Sequence, residues 1–249
     1  ETAKILCPNK KVLIPDMNAG CSLADSCIAE VLAAFMAQHP GYKVISYVNT
    51  SAAVKAHTDV VVTSTNARQI VESFPQDEKL IFGPDRNLGG YINSITGRNM
   101  LLWNGACHVH EQFSVEKIVE LKKQYPNAHV LAHPECKSTI LALADKVGST
   151  AALLKYAIQS DIKEFIVATE SGILHEMRKN CPEKNFIPAP PADSTCACNE
   201  CNYMRLNTMH KLYNTLKYEL PEVTVDSEIA AKAIVPIERM LEISAKLGL

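Results

Sequence analysis

Three widely spaced cysteines are the residues of this 249-residue chain best suited to chemistry. Cys21, Cys107 and Cys201 are separated by 86 and 94 residues, and each is predicted to lie at the end of an apolar strand. Thiolates this far apart in sequence meet only where a repeated architecture directs several strand ends to one centre. Three thiolates at such a centre leave a fourth coordination position open, which predicts a metal or iron–sulfur cluster that performs chemistry.

Other interpretations of these thiols stay open on the residues alone. Each cysteine by itself is equally a small buried hydrophobic side chain. The chain could instead be a structural or regulatory thiol protein linked by zinc or disulfides, or a redox carrier that uses a cluster only for electrons. Cys198 and Cys201 have the spacing of a metal or redox pair, but the sequence has no second pair nearby to complete a four-thiolate zinc site.

Composition narrows the class of protein. The chain is 47% apolar and carries a formal net charge of −2, which gives no electrostatic signature for nucleic acid or an anionic membrane. No apolar run approaches the roughly 20 residues of a spanning helix. Its nine cysteines are odd in number and widely spaced, which is typical of reduced thiols. We therefore expect a cytoplasmic globular protein that binds neither nucleic acid nor membrane.

Short β-branched runs alternate with amphipathic stretches, the pattern of βα units around parallel sheets. Strands are predicted at 11–15, 44–48, 60–63, 80–82, 100–103, 129–132, 165–168 and 186–188. Helices are predicted at 1–6, 22–38, 67–74, 88–95, 115–125, 138–145, 151–159, 174–179, 203–217 and 229–246, with a short one beginning near Ser51. The part after Cys201 contains helices only. Its strands are therefore expected upstream of residue 1, in an N-terminal segment that this chain lacks.

The two halves of this pattern form an internal repeat. A shift of 86 residues places Cys21 on Cys107, Tyr47 on His133, and Ser64 on Thr150. Polar residues at strand ends thus coincide with polar residues at strand ends. Because open parallel sheets place their sites at the carboxyl ends of the strands, these positions are candidate site residues.

The strand ends carry groups that suit proton transfer and anion binding. His133 and Glu135 flank a proline, and an imidazole beside a carboxylate can act as acid and base near neutral pH. The alternative is a packed histidine and a capping glutamate. Hydroxyl groups that precede predicted helices are either N-caps or ligands for a carboxylate or phosphate, and these are Ser64, Ser149 and Thr150.

Seven segments, taken together, resemble the quinolinate synthase family. They are DMNAGCSLAD at 16–25, YVNTS at 47–51, FGPDRNLG at 82–89, WNGACHVHE at 103–111, AHPEC at 132–136, GST at 148–150 and CNYM at 201–204. The segments follow the family's order from one end of the chain to the other. Such a combination is specific, although AHPEC or GST alone would mean little.

The resemblance implies a fold and a reaction. The fold is α/β, with similar three-layer αβα domains in a pseudo-threefold arrangement, short parallel sheets and a cluster at the central interface. Residues 1–10 plus 195–249 would belong to the first domain, 11–98 to the second and 99–194 to the third. The reaction condenses iminoaspartate with dihydroxyacetone phosphate to quinolinate, releasing phosphate and water, in de novo NAD biosynthesis. An L-aspartate oxidase or dehydrogenase would supply iminoaspartate, and the enzyme would be a monomer or homodimer.

The resemblance also implies roles for individual residues. Cys21, Cys107 and Cys201 would hold one [4Fe-4S] cluster per chain and leave one iron open. Glu135, as the base for tautomerisation, His133 and Tyr47 would be catalytic. The substrate would contact Tyr47, Asn49, Ser64, His110, His133, Glu135, Ser149 and Thr150. Cys196 and Cys198 would not be ligands, although a reversible disulfide between Cys198 and Cys201 would remove a ligand and inactivate the enzyme.

Overall fold

The structure is a computed structural model that describes residues 1–193 and 200–249. The chain forms two compact units, Glu1–Gly105 together with Asn202–Leu249, and Ala106–Cys201. In the described residues each unit contains a four-stranded sheet in which every pairing is parallel. The predicted α/β class is confirmed, and the pseudo-threefold arrangement of domains stays a prediction.

The sheet of the first unit has the strand order β2-β1-β3-β4. Its strands are β1 (Lys43–Tyr47), β2 (Val60–Val62), β3 (Leu80–Gly83) and β4 (Leu101–Leu102). Its helices are α1 (Thr2–Leu6), α2 (Ser22–Asp25), α3 (Ala29–Ala37), α4 (Ala52–Lys55), α5 (Ala67–Glu72) and α6 (Arg86–Thr96), and, from the chain end, α12 (Asn202–Arg205), α13 (Met209–Tyr218) and α14 (Ser227–Lys246).

Strands β2 and β3 are buried along their whole length, which is typical of a parallel sheet covered on both faces. The long helix α14 contacts β2 and α4. It presents an apolar stripe at helical spacing, since Ala233, Ile237 and Met240 are buried in the core of this unit. Asp226 accepts hydrogen bonds from the first-turn N–H groups of α14 and so caps its N-terminus.

The second unit repeats this plan, with the strand order β6-β5-β7-β8. Its strands are β5 (His129–Ala132), β6 (Lys146–Val147), β7 (Glu164–Ala168) and β8 (Asn185–Pro188). Its helices are α7 (His108–Glu111), α8 (Val115–Gln124), α9 (Ser138–Leu141), α10 (Thr150–Gln159) and α11 (Ile173–Asn180). Apolar residues of β5 and β7, both almost fully buried, form cores on the two faces of the sheet.

The register of the two sheets confirms the 86-residue repeat. Ile45 pairs with Val60 in the first unit, and the equivalent Leu131 pairs with Lys146 in the second. The residues that precede β2 and β6 repeat as well. Asp59 accepts a hydrogen bond from the N–H of Val44 at 2.8 Å, and the equivalent Asp145 accepts one from the N–H of Val130 at 2.7 Å.

Two of the predicted helices are each broken into two. The helix predicted at 22–38 is α2 and α3, because Ile28 is extended (φ −88°, ψ 135°) and acts as the N-cap of α3. The helix predicted at 203–217 is α12 and α13, because Thr208 is extended and its hydroxyl caps α13 at the N–H of Lys211. Continuous apolar patterning did not reveal either break.

Two further predictions are wrong. The strand predicted at 11–15 forms only an isolated antiparallel bridge, from Leu13 to Glu222, and its neighbouring backbone pairs with residues 221–223 instead of the sheet. The helix predicted at 138–145 ends at Leu141, and the two-residue strand β6 that follows was not predicted. Asp145 is pinned to Val130 by two hydrogen bonds, which a helical Asp145 could not make. No helix in the described ranges is long and apolar enough to cross a lipid bilayer.

Candidate active site

The predicted cysteine ligands share one local structure. Cys21 is the N-cap of α2, Cys107 is the N-cap of α7, and Cys201 immediately precedes α12. Each of these helices is four residues long. All three thiols are half-buried, whereas the thiols of Cys27, Cys136 and Cys181 are buried. The predicted ligands are therefore accessible to a metal or cluster in a way that those core cysteines are not.

The candidate residues of the first unit lie at the carboxyl end of its sheet. Tyr47 ends β1 and is paired with Val62 at the end of β2. Ser64 follows β2 in a turn held by Asn66, whose side-chain oxygen accepts a hydrogen bond from the N–H of Thr63 at 2.7 Å. The first helical N-cap after this strand is Asn66, so Ser64 does not cap α5 and the capping alternative for it is wrong.

Asn49 and Cys21 are brought together in this unit. The Nδ2 atom of Asn49 lies 3.7 Å from the Sγ atom of Cys21, a distance at which an amide can donate a weak hydrogen bond to sulfur. Asn49 is exposed, whereas Tyr47, two residues before it, is buried, with only 7% of its surface exposed. The end of β1 therefore carries a buried phenol, and the loop after it carries an accessible amide beside a predicted ligand.

In the second unit a carboxylate lies beside two imidazoles. The Oε2 atom of Glu135 is 3.1 Å from Nδ1 of His110, and its Oε1 atom is 3.7 Å from Nδ1 of His133. The two rings stack with their centroids 4.9 Å apart. All three side chains are buried. The structure thus brings together His110, His133 and Glu135, which were predicted from segments more than twenty residues apart.

Cys107 belongs to the same cluster of side chains. One ligand atom from each of Cys107, His110 and Glu135 lies within 4.8 Å of the others, a donor set suited to a metal ion. The Nδ1 atom of His110 is buried and faces the carboxylate of Glu135 at 3.1 Å. A metal or cluster bound to Cys107 would therefore lie next to this histidine and this carboxylate.

The pKa values of the two histidines are shifted in opposite directions. Burial by itself lowers the pKa of His110, but its hydrogen bonds and electrostatic interactions with Cys107 and Glu135 outweigh burial and raise that pKa to about 10. Burial also lowers the pKa of His133, to about 4, against the smaller opposing charge of Glu135. At neutral pH this geometry holds a protonated and a neutral imidazole against one carboxylate.

One contact of this cluster was not predicted. The Nε2 atom of His110 lies 3.0 Å from the hydroxyl oxygen of Thr169, which is buried immediately after β7. The hydroxyl therefore fixes the orientation of the His110 ring. The available sequence signal was its place at the carboxyl end of a strand, the same signal that identified Tyr47 and His133.

The hydroxyl residues of the second unit lie where β6 meets α10. Ser149 is buried and caps α10, accepting a hydrogen bond from the N–H of Ala152 at 3.3 Å, so the capping alternative for Ser149 is confirmed. Thr150 is exposed at the first position of this ten-residue helix. A capped helix N-terminus with an accessible hydroxyl can still bind a carboxylate or phosphate.

Glu170 supports the backbone at Cys201. Its Oε1 atom accepts a hydrogen bond from the N–H of Cys201 at 3.3 Å, and its Oε2 atom accepts one from the N–H of Gly172 at 2.7 Å. Glu170 was not predicted from the sequence, since nothing in its local pattern distinguishes it from a surface carboxylate. Cys196 and Cys198 lie outside the described residues, so the predicted disulfide with Cys201 stays a prediction.

The family model described as "Quinolinate synthetase A protein" matches residues 1–242. The chain belongs to the quinolinate synthase family. Among curated relatives named quinolinate synthase, those of Chloroherpeton thalassium and Nostoc punctiforme are each 57% identical over 98% of the chain. The relative of Microcystis aeruginosa is 56% identical over the same share. The match spans 75–76% of the length of these three relatives.

Proposed function

We propose that this protein synthesises quinolinate from iminoaspartate and dihydroxyacetone phosphate, with release of phosphate and water. Membership of the family supports the reaction. The observation that supports the proposal is that the half-buried thiol of Cys107, a candidate metal ligand, lies beside the buried side chains of His110 and Glu135, which contact His133. Both proposed substrates are small molecules that such a group can contact. The alternative of a non-catalytic thiol protein has no comparable support.

We propose that Cys21, Cys107 and Cys201 hold one [4Fe-4S] cluster per chain and leave one iron without a protein ligand. Their half-buried thiols and their common place before a four-residue helix fit this assignment. The thiol of Cys107 also lies within 4.8 Å of a ligand atom of His110 and of Glu135, which fits a metal-binding position. When bound, such a cluster supplies a Lewis-acidic iron, which helps hydroxide to leave in the dehydration steps.

Glu135 is the proposed base for tautomerisation. Its carboxylate is buried beside the imidazoles of His110 and His133, at 3.1 and 3.7 Å, where it can accept a proton from carbon. His133 would hold a substrate oxygen, and His110 would orient Glu135. Tyr47 would polarise a substrate oxygen from the end of β1. Each of these roles requires the side chain to be fixed, and stacking of the two imidazole rings supplies part of that rigidity.

Anionic groups of the substrates need donors, because the substrates carry carboxylates and a phosphate. Ser149 and Thr150 lie at the N-terminus of α10, where backbone N–H groups and the helix dipole favour negative charge. Ser64 and Asn49 would contribute further donors at the carboxyl end of the first sheet. Capping by Ser149 is compatible with this role, since its hydroxyl accepts one hydrogen bond and can donate another.

The source of iminoaspartate follows from its chemistry. An imine of this kind hydrolyses in water, so an oxidase or dehydrogenase that acts on L-aspartate must supply it continuously. We further propose a cytoplasmic enzyme, monomeric or homodimeric, that binds no nucleic acid. The near-neutral net charge of −2 supports the absence of a nucleic-acid partner.

The test is anaerobic turnover of the reconstituted full-length protein with both substrates. Quinolinate, measured by mass spectrometry, and released phosphate should appear in equal amounts. A Cys107→Ser variant should form neither. A colourless protein that contains stoichiometric zinc would overturn the proposal in favour of a structural thiol protein. A cluster whose spectrum does not respond to quinolinate, with no turnover, would favour a redox carrier.

A further inference from the structure

A buried lysine lies against the loop that carries Asn49 and directly follows Tyr47. Lys55, the last residue of α4, has 0% of its surface exposed. Lysine is almost never fully buried unless its ammonium group is paired, because removing the charge from water is unfavourable. Burial accordingly lowers the pKa of Lys55 to about 8, with Glu1 acting weakly in the opposite direction. Such a costly group calls for a structural explanation.

The hydrogen bonds of Lys55 all converge on one short segment. Its Nζ atom donates to the carbonyl of Val48 at 2.8 Å, to the carbonyl of Thr50 at 2.5 Å and to the Thr50 hydroxyl at 3.1 Å. These acceptors flank Asn49 on both sides. The Thr50 hydroxyl in turn donates to the carbonyl of Tyr47 at 2.9 Å. One ammonium group therefore fixes the backbone on either side of Asn49 and, through Thr50, the end of β1.

The second unit shows that the fold does not need an amine here. The 86-residue shift places Lys55 on Leu141, which packs against an apolar core in the second unit. The same shift places Asn49 on Glu135 and Val48 on Pro134. In the second unit a proline stiffens the loop between the two site residues. The first unit has valine at the position of this proline, and there the hydrogen bonds of Lys55 can stiffen the loop instead.

We propose that Lys55 is a positioning residue, which holds Asn49 and Tyr47 in the orientation that binds the substrate and product of this enzyme. The inference rests on the proposed function. Its physical basis is that binding depends on hydrogen-bond donors held to within a fraction of an ångström. A loop of three residues keeps that precision only if hydrogen bonds restrain its backbone. Lys55 contacts no substrate itself and acts through the two residues it restrains.

Lys55→Met tests the inference, because methionine fills the volume of the lysine stem without an ammonium group. Lys184→Met is the matched control. Lys184 is also buried, and its Nζ atom donates to the carbonyls of Ala157 and Ser160 at 2.6 and 2.5 Å, but these acceptors lie at the end of α10 away from every candidate site residue. Both variants lose a buried ammonium group bound to two carbonyls. Only one of them loosens the loop.

The main readout is the dissociation constant of quinolinate, measured by anaerobic calorimetry on the reconstituted protein. Lys55→Met should weaken binding by about tenfold or more, whereas Lys184→Met should stay within about twofold of wild type. The double mutant Lys55→Met/Asn49→Ala should bind quinolinate within about twofold of whichever single variant binds it more weakly. The two effects should not add, because both changes remove the same oriented amide. Equal weakening in the two lysine variants would reduce Lys55 to a general stability role and overturn the inference.

Two further measurements keep the inference distinct from the proposed function. Thr50→Val leaves Lys55 in place and removes only the hydroxyl link, so it should weaken quinolinate by about threefold even if Lys55→Met does not fold. An unchanged affinity for quinolinate in Thr50→Val, or in a folded Lys55→Met variant, would overturn the inference. The proposed function would still stand if the wild-type protein turned over both substrates. A wild-type protein that neither binds nor produces quinolinate would overturn both.

Discussion

The Oε2 atom of Glu135 lies 3.1 Å from the Nδ1 atom of His110, and both side chains are buried. This contact joins the loop after β5 to the short helix that begins directly after Cys107. The proposed base and a proposed cluster ligand are therefore parts of one packed arrangement in the second unit. A change in Glu135 should alter proton transfer without removing a thiol.

Glu135→Gln is expected to lower kcat by at least about 100-fold, because the amide keeps the size of the carboxylate but cannot accept the proton. Cluster absorbance should remain, which anaerobic visible spectra would check. Glu111→Gln is the matched control, since Glu111 lies on α7 and pairs with Lys137 at 3.6 Å near the surface. A Glu135→Gln enzyme with kcat within threefold of wild type would exclude this residue as the base.

Two cysteine variants should distinguish a cluster ligand from a structural cysteine of the core. Cys107→Ser should lose most of the cluster iron, measured by iron and sulfide analysis after anaerobic reconstitution. Cys136→Ser should keep its iron, because its thiol is fully buried and donates to the carbonyl of Ala168 at 3.3 Å. Its cost should be limited to about 1 kcal/mol of unfolding free energy. Equal iron content in the two variants would remove Cys107 from the ligand set.

Much of the scaffold could be predicted, because alternating β-branched and amphipathic segments encode βα units directly. The 86-residue repeat predicts more of the structure than the local hydrophobic pattern does. Shifting β2 (Val60–Val62) by 86 residues predicts a strand at 146–148, and the structure has β6 at Lys146–Val147. Read locally, the same residues follow a helical stretch and do not look like a strand.

The supporting residues of the site could not be predicted in the same way. Thr169 and Glu170 follow β7 in a segment with no distinctive motif, and their partners, His110 and Cys201, are 59 and 31 residues away in sequence. Lys55 looks like an ordinary exposed lysine at the end of a short helix. Contacts between distant segments depend on tertiary packing, which local periodicity does not encode. The positions of Tyr47 and His133 at strand ends were predictable, because the carboxyl ends of parallel strands lie at one edge of each sheet.

Glu170→Ala should make the cluster less stable without preventing its assembly. The carboxylate holds the N–H of Cys201 and also that of Gly172, so its removal frees the backbone at a proposed ligand. We expect cluster absorbance to decay several times faster under an iron chelator than in wild type. Glu176→Ala, an exposed site on α11, is the control. Identical decay rates in both variants would show that Glu170 does not support Cys201.

The buried ammonium group of Lys55 should give the cluster-free protein a distinctive pH dependence. The pKa of Lys55 is about 8 in the fold and about 10.5 when unfolded, so between these values the unfolded chain binds more protons. The free energy of unfolding therefore rises with pH through this window, by up to about 3 kcal/mol relative to Lys55→Met. Below pH 8 both states are protonated, and the difference between the two proteins should be constant.

Urea unfolding of the two proteins between pH 7 and 10 would measure this difference. Comparing them is necessary because burial also raises the pKa of Cys27, to about 12, which lowers stability above the ordinary thiol pKa near 9 in both proteins alike. Subtraction cancels that term and leaves the contribution of Lys55. A difference that stays flat from pH 8 to 10, or that falls, would mean that Lys55 keeps an ordinary pKa and is hydrated in solution.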